Sequence, residues 1–234
     1  MAQHIVTSFD EDLEHLDRLI RDMGDLAAAM TKAATRALLH ADNARAQRVV
    51  SDDVVMDARQ TELDKSAVTL IAKRQPMAQD LRAVVGAIRM AADLERIGDL
   101  AKNIAKRVGA VGESPTPRSL THSIDTMAGM VLDQVQAVVR HYVERQPNAL
   151  VELRDRDEKI DVHYTAVFRE LLTYMMEDPR NITACTHLLF CAKNLERIGD
   201  HVTNIAENAY YVLTGSQLPV QRPKLDETQM TVES

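Results

Sequence analysis

The chain has no tryptophan, only 3% aromatic residues, and 8 glycines and 7 prolines in 234 positions. Alanine, leucine, methionine and charged residues dominate instead, which is a helical composition, and no alternating strand pattern competes with it. Cysteine is nearly absent. Cys185 and Cys191 stand six apart in an apolar run and read as small core residues of a reduced compartment, not as a disulfide framework. Positive charge is in deficit too: the net charge of −7 argues against a general nucleic-acid binder and against attachment to anionic lipid by charge alone. No apolar run approaches the length of a membrane span. Met1 to Asp12 shows neither a basic region nor an apolar core, so no signal peptide is visible and the expected location is cytoplasmic. Catalytic signatures are missing as well. There is no HExxH, no phosphate-binding GxxxxGK[ST], no nucleophile elbow and no kinase signature.

What is present is a duplication. Asp93-Leu94-Glu95-Arg96-Ile97-Gly98-Asp99, with Asn103-Ile104-Ala105 after it, returns 101 residues later as Asn194-Leu195-Glu196-Arg197-Ile198-Gly199-Asp200, with Asn204-Ile205-Ala206 in register. A shared hexapeptide and a spaced tripeptide at one offset mark an internal repeat. Residues four apart share a helix face, so Glu95, Asp99 and Asn103 form one polar stripe and Glu196, Asp200 and Asn204 another. Like charges four apart cost a helix about 0.2–0.5 kcal/mol, so keeping the pair in both halves implies a compensating cation. Gly98 and Gly199 each cost about 1 kcal/mol relative to alanine inside a helix, which implies the close approach of a neighbour.

Apolar periodicity supplies the helices. Ser8 and Glu11 have capping-box spacing, and Phe9, Leu13, Leu16, Ile20, Met23, Ala27 and Met30 continue at 4-3 spacing into a long first helix. Asp42-Asn43 caps a second, running to about Arg74, and Pro76 suits the first position of a third. The third helix carries two stripes, Leu81, Val85, Ile88 and Ala92 against Leu94, Ile97, Ala101, Ile104 and Val108, and therefore expects two neighbours. A linker rich in glycine and proline follows. A second set comprises a helix from about Arg118 to Arg145, one from Pro147 to about Met176, and one begun by Asp178-Pro179. The expectation is an all-α protein of two tandem, pseudo-symmetric three-helix bundles. Their bounds are 1–109 and 118–214, joined by a linker over 110–117 and followed by a disordered polar tail over 215–234.

The middle helix of each half has its own acids: Asp53-x-x-Met56-Asp57 resembles Asp157-x-x-Ile160-Asp161, at an offset of 104. Antiparallel helices would let these carboxylates meet the repeated ones. Two readings follow. In one, Glu95, Asp99, Asn103, Asp53 and Asp57, with Glu196, Asp200, Asn204, Asp157 and Asp161, are oxygen ligands for Mg, Ca, Mn or Fe. In the other, arginines (Arg96 and Arg197, with Arg82 and Arg89 nearby) neutralise an acidic stripe. A di-iron carboxylate bundle would need Glu-x-x-His, whereas Gly98 and Gly199 occupy that position. His201, where the first copy has Leu100, reads as a solvated surface histidine.

Arg74-Gln75-Pro76-Met77-Ala78-Gln79-Asp80-Leu81-Arg82, the two LERIGD segments and Leu172-Thr173-Tyr174-Met175-Met176-Glu177-Asp178-Pro179-Arg180 resemble the PhoU family of phosphate-specific transport accessory proteins. The resemblance runs from about Phe9 to Leu213. It implies two pseudo-symmetric three-helix bundles, a homodimer, and a cytoplasmic negative regulator of the phosphate-starvation (Pho) response and of phosphate uptake. Such a regulator works between the phosphate ABC transporter, through its ATPase PstB, and the sensor histidine kinase PhoR. It further implies multinuclear iron or zinc on Glu95/Asp99 and Glu196/Asp200, and no catalysis. Asp80, Arg82 and Arg180, near helix-start turns, are expected to dock partners. Two alternatives use the same residues: a metal-dependent phosphoester hydrolase, which needs a base the sequence does not offer, and a metal-free helical adaptor.

Overall fold

The computed structural model describes residues 2–112 and 118–218, apart from the side chains of 2–10, 112 and 118–120. The described elements are α1 (Ala2–His40), α2 (Asn43–Arg74), α3 (Gln79–Ala105), the short α4 (Val108–Gly112), α5 (Arg118–Val143), α6 (Pro147–Asp155), α7 (Asp157–Glu177) and α8 (Ile182–Thr214), with a 3-10 turn, Pro179–Asn181, before α8. Six long helices are therefore present, the fifth of them broken into α6 and α7.

That break corrects the continuous helix expected from Pro147 to Met176. At Arg156 the backbone bonds run to the third residue rather than the fourth, Arg156 N to Leu153 O and Lys159 N to Arg156 O, and this local tightening interrupts the α-helical ladder. Pro147 does sit in the first turn of α6, as expected. α1 begins at Ala2 rather than after Ser8, because no glycine or proline precedes Ser8 to stop it. Asp42 caps α2 by accepting from Arg45 N at 2.9 Å. Pro76 lies in the connection and not in α3, because Gln75 and Ala78 both adopt φ of 48° and the chain turns twice before α3 starts. The expected linker is helical as far as Gly112. The first residues of the tail expected to be disordered over 215–234 are placed: Gly215 ends α8 at φ of 78° and Leu218 is buried; residues 113–117 and 219–234 lie outside the described residues.

α1, α2 and α3 pack together as one bundle, and α5, α7 and α8 as the other. Met23, Met30, Met56, Leu63, Leu94, Ile97 and Ile104 fill the first core; Ile124, Val131, Leu150, Ile160, Leu195 and Ile198 fill the second. The two cores merge, since α3 packs along α8 and α1 along α5. Glycines permit both contacts: a Cβ on Gly86 would overlap Val212, and one on Gly24 would overlap Val139. A polar strap closes the α1–α5 seam. Buried Tyr142 donates through its hydroxyl to Asp17 at 2.5 Å, and Arg145 pairs with the same carboxylate at 2.7 Å.

Candidate functional site

Both LERIGD segments lie on the central helices α3 and α8, and each glycine meets the preceding long helix of its own half. A Cβ on Gly98 would stand 3.2 Å from Met56 Cγ; one on Gly199 would stand 2.9 Å from Asp157 Oδ1 and 3.2 Å from Ile160 Cδ1. Met56 and Ile160 are the residues paired by the 104-residue offset, so the weaker half of the duplication is real in space. The close approach brings carboxylates of α2 and α7 towards those of α3 and α8.

In the first half the compensating cation is Lys102, which the sequence reading overlooked. Its Nζ lies 2.6 Å from Asp53 Oδ2 and 2.5 Å from Asp99 Oδ1. Arg96 pairs with Asp99 at 3.1 Å and reaches Glu95 at 3.5 Å, as the arginine reading of the stripe has it. Burial works against the Asp99 charge, but hydrogen bonds and charge from Lys102 and Arg96 outweigh it and hold the carboxyl below its ordinary range. Glu95 goes the other way: burial raises its pKa, Asp99 adds to this, and Arg96 offsets only part. Adjacent carboxyls are thus pushed apart. Asp57 and Asn103 are exposed at the rim.

The second half is built differently. Thr203 stands where the repeat has Lys102, and its Oγ1 is buried without a hydrogen-bond partner. Lys193 supplies charge from the other direction, 2.9 Å from Glu196 Oε1, with its ammonium 5.2 Å from the Tyr164 ring. Glu196 Oε2 is buried with no hydrogen-bond partner. Burial raises the Glu196 pKa, and Lys193 does not fully restore it against Asp200 and Asp161. Asp157 is buried against Gly199, while Asp161 and Asp200 are half-buried.

Asn204 does not join this acidic patch. It turns to the first half, where its Nδ2 donates to Asp93 Oδ1 at 3.3 Å, and His201 Nδ1 lies 2.9 Å from the same oxygen. His201 is thereby half-buried at the seam between the bundles rather than solvated. Arg82 and Arg89 do not face the acids but line a groove between α3 and α8, and Arg197 is exposed. Arg180 is exposed and its guanidinium folds onto Asp178 at 2.7 Å. Asp80, in the first turn of α3, is half-buried.

The donor chemistry suits a hard divalent cation: carboxylate oxygens from two facing helices, with one buried oxygen left without a partner. All-oxygen donors favour Mg, Mn or Fe over Zn. Among the described residues, however, no three His, Cys, Asp or Glu side chains come together closely enough to share one ion, and in the first half an ammonium already bridges two of them. Glu95 and Glu196 both bind their protons more tightly folded than unfolded. Above the ordinary value of 4.5 their charge therefore opposes folding, and the penalty is relieved as pH falls through the raised values. Glu95→Gln is expected to raise Tm at pH 7, with a gain that shrinks as pH is lowered towards 4; thermal denaturation across that range checks it.

Two related helical bundles, each carrying an acidic patch on its central helix, define a class of duplicated helical-bundle proteins. The PhoU domain profile matches residues 20–108 and 124–209, and the chain belongs to the PhoU family. The phosphate-specific transport system accessory protein PhoU homolog of Rhizobium meliloti (strain 1021) is 55% identical over 225 residues, 96% of this chain and 95% of that one. The homolog of the same name from Caulobacter vibrioides is 47% identical over 97% of this chain and 98% of its own. Among solved structures, PhoU from Pseudomonas aeruginosa aligns with a TM-score of 0.85 at 33% identity, over 89% of this chain and 100% of that one. The phosphate transport system regulatory protein PhoU from Streptococcus pneumoniae aligns with a TM-score of 0.83 at 27% identity, covering 91% and 100%. Among the described residues no helix is long and apolar enough to cross a membrane.

Proposed function

We propose that the chain is a cytoplasmic, non-catalytic regulator of a phosphate-specific transport system that represses the phosphate-starvation response when phosphate is plentiful. The observation carrying this reading is the near full-length similarity to accessory proteins of that system, 55% identical over 96% of the chain. Its partners are the transporter ATPase PstB, the sensor kinase PhoR and a second copy of the chain. A merged double core suits a rigid scaffold: transporter conformation reaches the kinase through differential binding, which any such coupling requires. Asp80, Arg82 and Arg180 are the docking residues. In a bacterium lacking its own PhoU, expression of this chain restores low alkaline phosphatase at high phosphate. Continued high output from well-folded protein that co-purifies with neither PstB nor PhoR would sink the reading.

The acidic patches are a second part of the proposal. Glu196, Asp200, Asp157 and Asp161 close on a divalent cation in the second half by moving together from the positions they hold here, where no three of them converge, and the partnerless Glu196 oxygen supports placing it there. Glu95, Asp99, Asp53 and Asp57 are the corresponding set of the first half; Lys102 occupies Asp53 and Asp99 there as Lys193 occupies Glu196 Oε1 in the second, so a cation at either set must displace an ammonium. When bound, the ion would supply the positive charge that draws facing helices together. Elemental analysis of protein purified without chelator tests this. About one equivalent per chain is expected, lost in Asp161→Asn/Asp200→Asn and retained in Asp57→Asn; a metal-free chain of unchanged Tm in added Mn would refute it.

A further inference from the structure

Although α3 packs against α1, α2 and α8, its seam of Leu81, Val85, Ile88 and Ala92 is left partly uncovered among the described residues. Leu81 is 39% exposed and Val85 36% exposed; Ala92 is exposed and Ile88 only half-buried. These residues, Ile88 apart, line one wall of a groove of about 1160 Å³ between α3 and α8, with Asn208 and Tyr211 opposite and Leu218 at the end.

Three arginines accompany the open seam. Arg82, Arg89 and Arg96 all line the groove at seven-residue spacing, which puts successive guanidiniums about 10 Å apart along the helix. Arg96 is held by Glu95 and Asp99. Among the described residues neither Arg82 nor Arg89 has a carboxylate within ion-pair distance. Arg82 lies over the Tyr211 ring at 5.6 Å, and its Nε is buried without a hydrogen-bond partner. Asp93 already accepts from His201 and Asn204, leaving Glu207 as the carboxylate on the α8 wall. On a protein of net charge −7, Arg82 and Arg89 thus leave the α3 wall positive beside its apolar seam.

An apolar 4-3 seam flanked by like charges every seven residues is one half of a helix-packing interface, in which flanking charges select the partner. We propose that the groove receives an acidic amphipathic α-helix of a partner protein, laid along α3 with apolar side chains on Leu81, Val85 and Ala92. Carboxylates at heptad spacing face Arg82 and Arg89. The spacing disfavours a single small anion, because guanidiniums strung along a line cannot converge on one phosphate. This inference rests on the docking role given above to Arg82 and names the chemistry of what docks.

The test is fluorescence anisotropy of a labelled synthetic helix of about three heptads, with leucine at the apolar positions and glutamate at the flanking ones, titrated with the full chain. The control peptide carries lysine in place of glutamate. The acidic peptide binds and the lysine peptide does not; binding weakens with added salt. Arg89→Glu and Val85→Asp, exposed positions that leave the far-ultraviolet circular dichroism unchanged, each weaken it at least tenfold. Equal binding of both peptides, indifference to Arg89→Glu, or no binding of the acidic peptide overturns the proposal. So does sodium polyphosphate binding that depends on Arg89 when the acidic peptide fails. Binding is read without transporter or kinase, so its failure and a failure of the regulatory reading are separate results.

Discussion

Lys102→Met lowers the unfolding free energy by about 3 kcal/mol, the scale expected when one partner of a largely buried ion pair is removed and the other charge is left behind. Asp53, whose side chain is 11% exposed, is the carboxylate stranded here, while Asp99 keeps its pairing with Arg96. Urea denaturation checks it: the midpoint falls while the slope stays constant, because the surface exposed on unfolding does not change. Adding Asp53→Asn recovers part of the loss, and the double-mutant cycle gives the coupling directly. The pH dependence has a defined sign. Asp99, depressed below its ordinary 3.8, contributes stability that is present above that value and lost as pH falls through the depressed one. The raised pKa of Lys102 contributes stability that disappears only as pH rises through the raised value. The difference between wild type and variant should therefore collapse in acid and persist across neutral pH.

Gly86→Ala is the second large effect, a loss of about 2 kcal/mol despite the gain of about 1 kcal/mol that alanine brings inside a helix. The new methyl would overlap the Val212 Cγ2 methyl, and a β-branched side chain in a helix has almost no alternative rotamer to retreat into. For a chain of this size the loss lowers Tm by about 4–8 °C. Val212→Ala in the same protein relieves the clash, so the pair is less destabilised than the sum of the single changes. Gly129 supplies the contrast. Nothing lies within 4 Å of a Cβ added there, so Gly129→Ala on the exposed face of α5 raises Tm. If both alanines behaved alike, close packing of α3 on α8 would not be what holds the bundles together.

The acidic patches show how far one-dimensional spacing reaches. The pairs Glu95/Asp99 and Glu196/Asp200, and the close approach at Gly98 and Gly199, follow from helix periodicity and the cost of like charges and glycines. The identity of the cation does not. An arginine between the carboxylates was the visible candidate, yet Lys102, three residues beyond Asp99, carries the bridge because α2 brings Asp53 to that spot. The i, i+3 spacing of Asp99 and Lys102 was a signal available in the sequence, and so was that of Lys193 and Glu196. Asn204 shares the stripe of Glu196 and Asp200, but α3 places Asp93 within its reach and it turns there instead.

The sequence by itself determined the all-helical class, the duplication, the six long helices and which side chains share a face, because a helix sets the angle of every residue about its own axis. Only the tertiary structure decided which neighbour fills each angle. Gly86 and Gly24 are ordinary glycines until α8 and α5 press on them, and Leu81 and Val85 are ordinary core positions that, among the described residues, stay exposed. Crossing angles and helix separations emerge from all the contacting ridges and grooves together, and no single stretch of chain contains that sum.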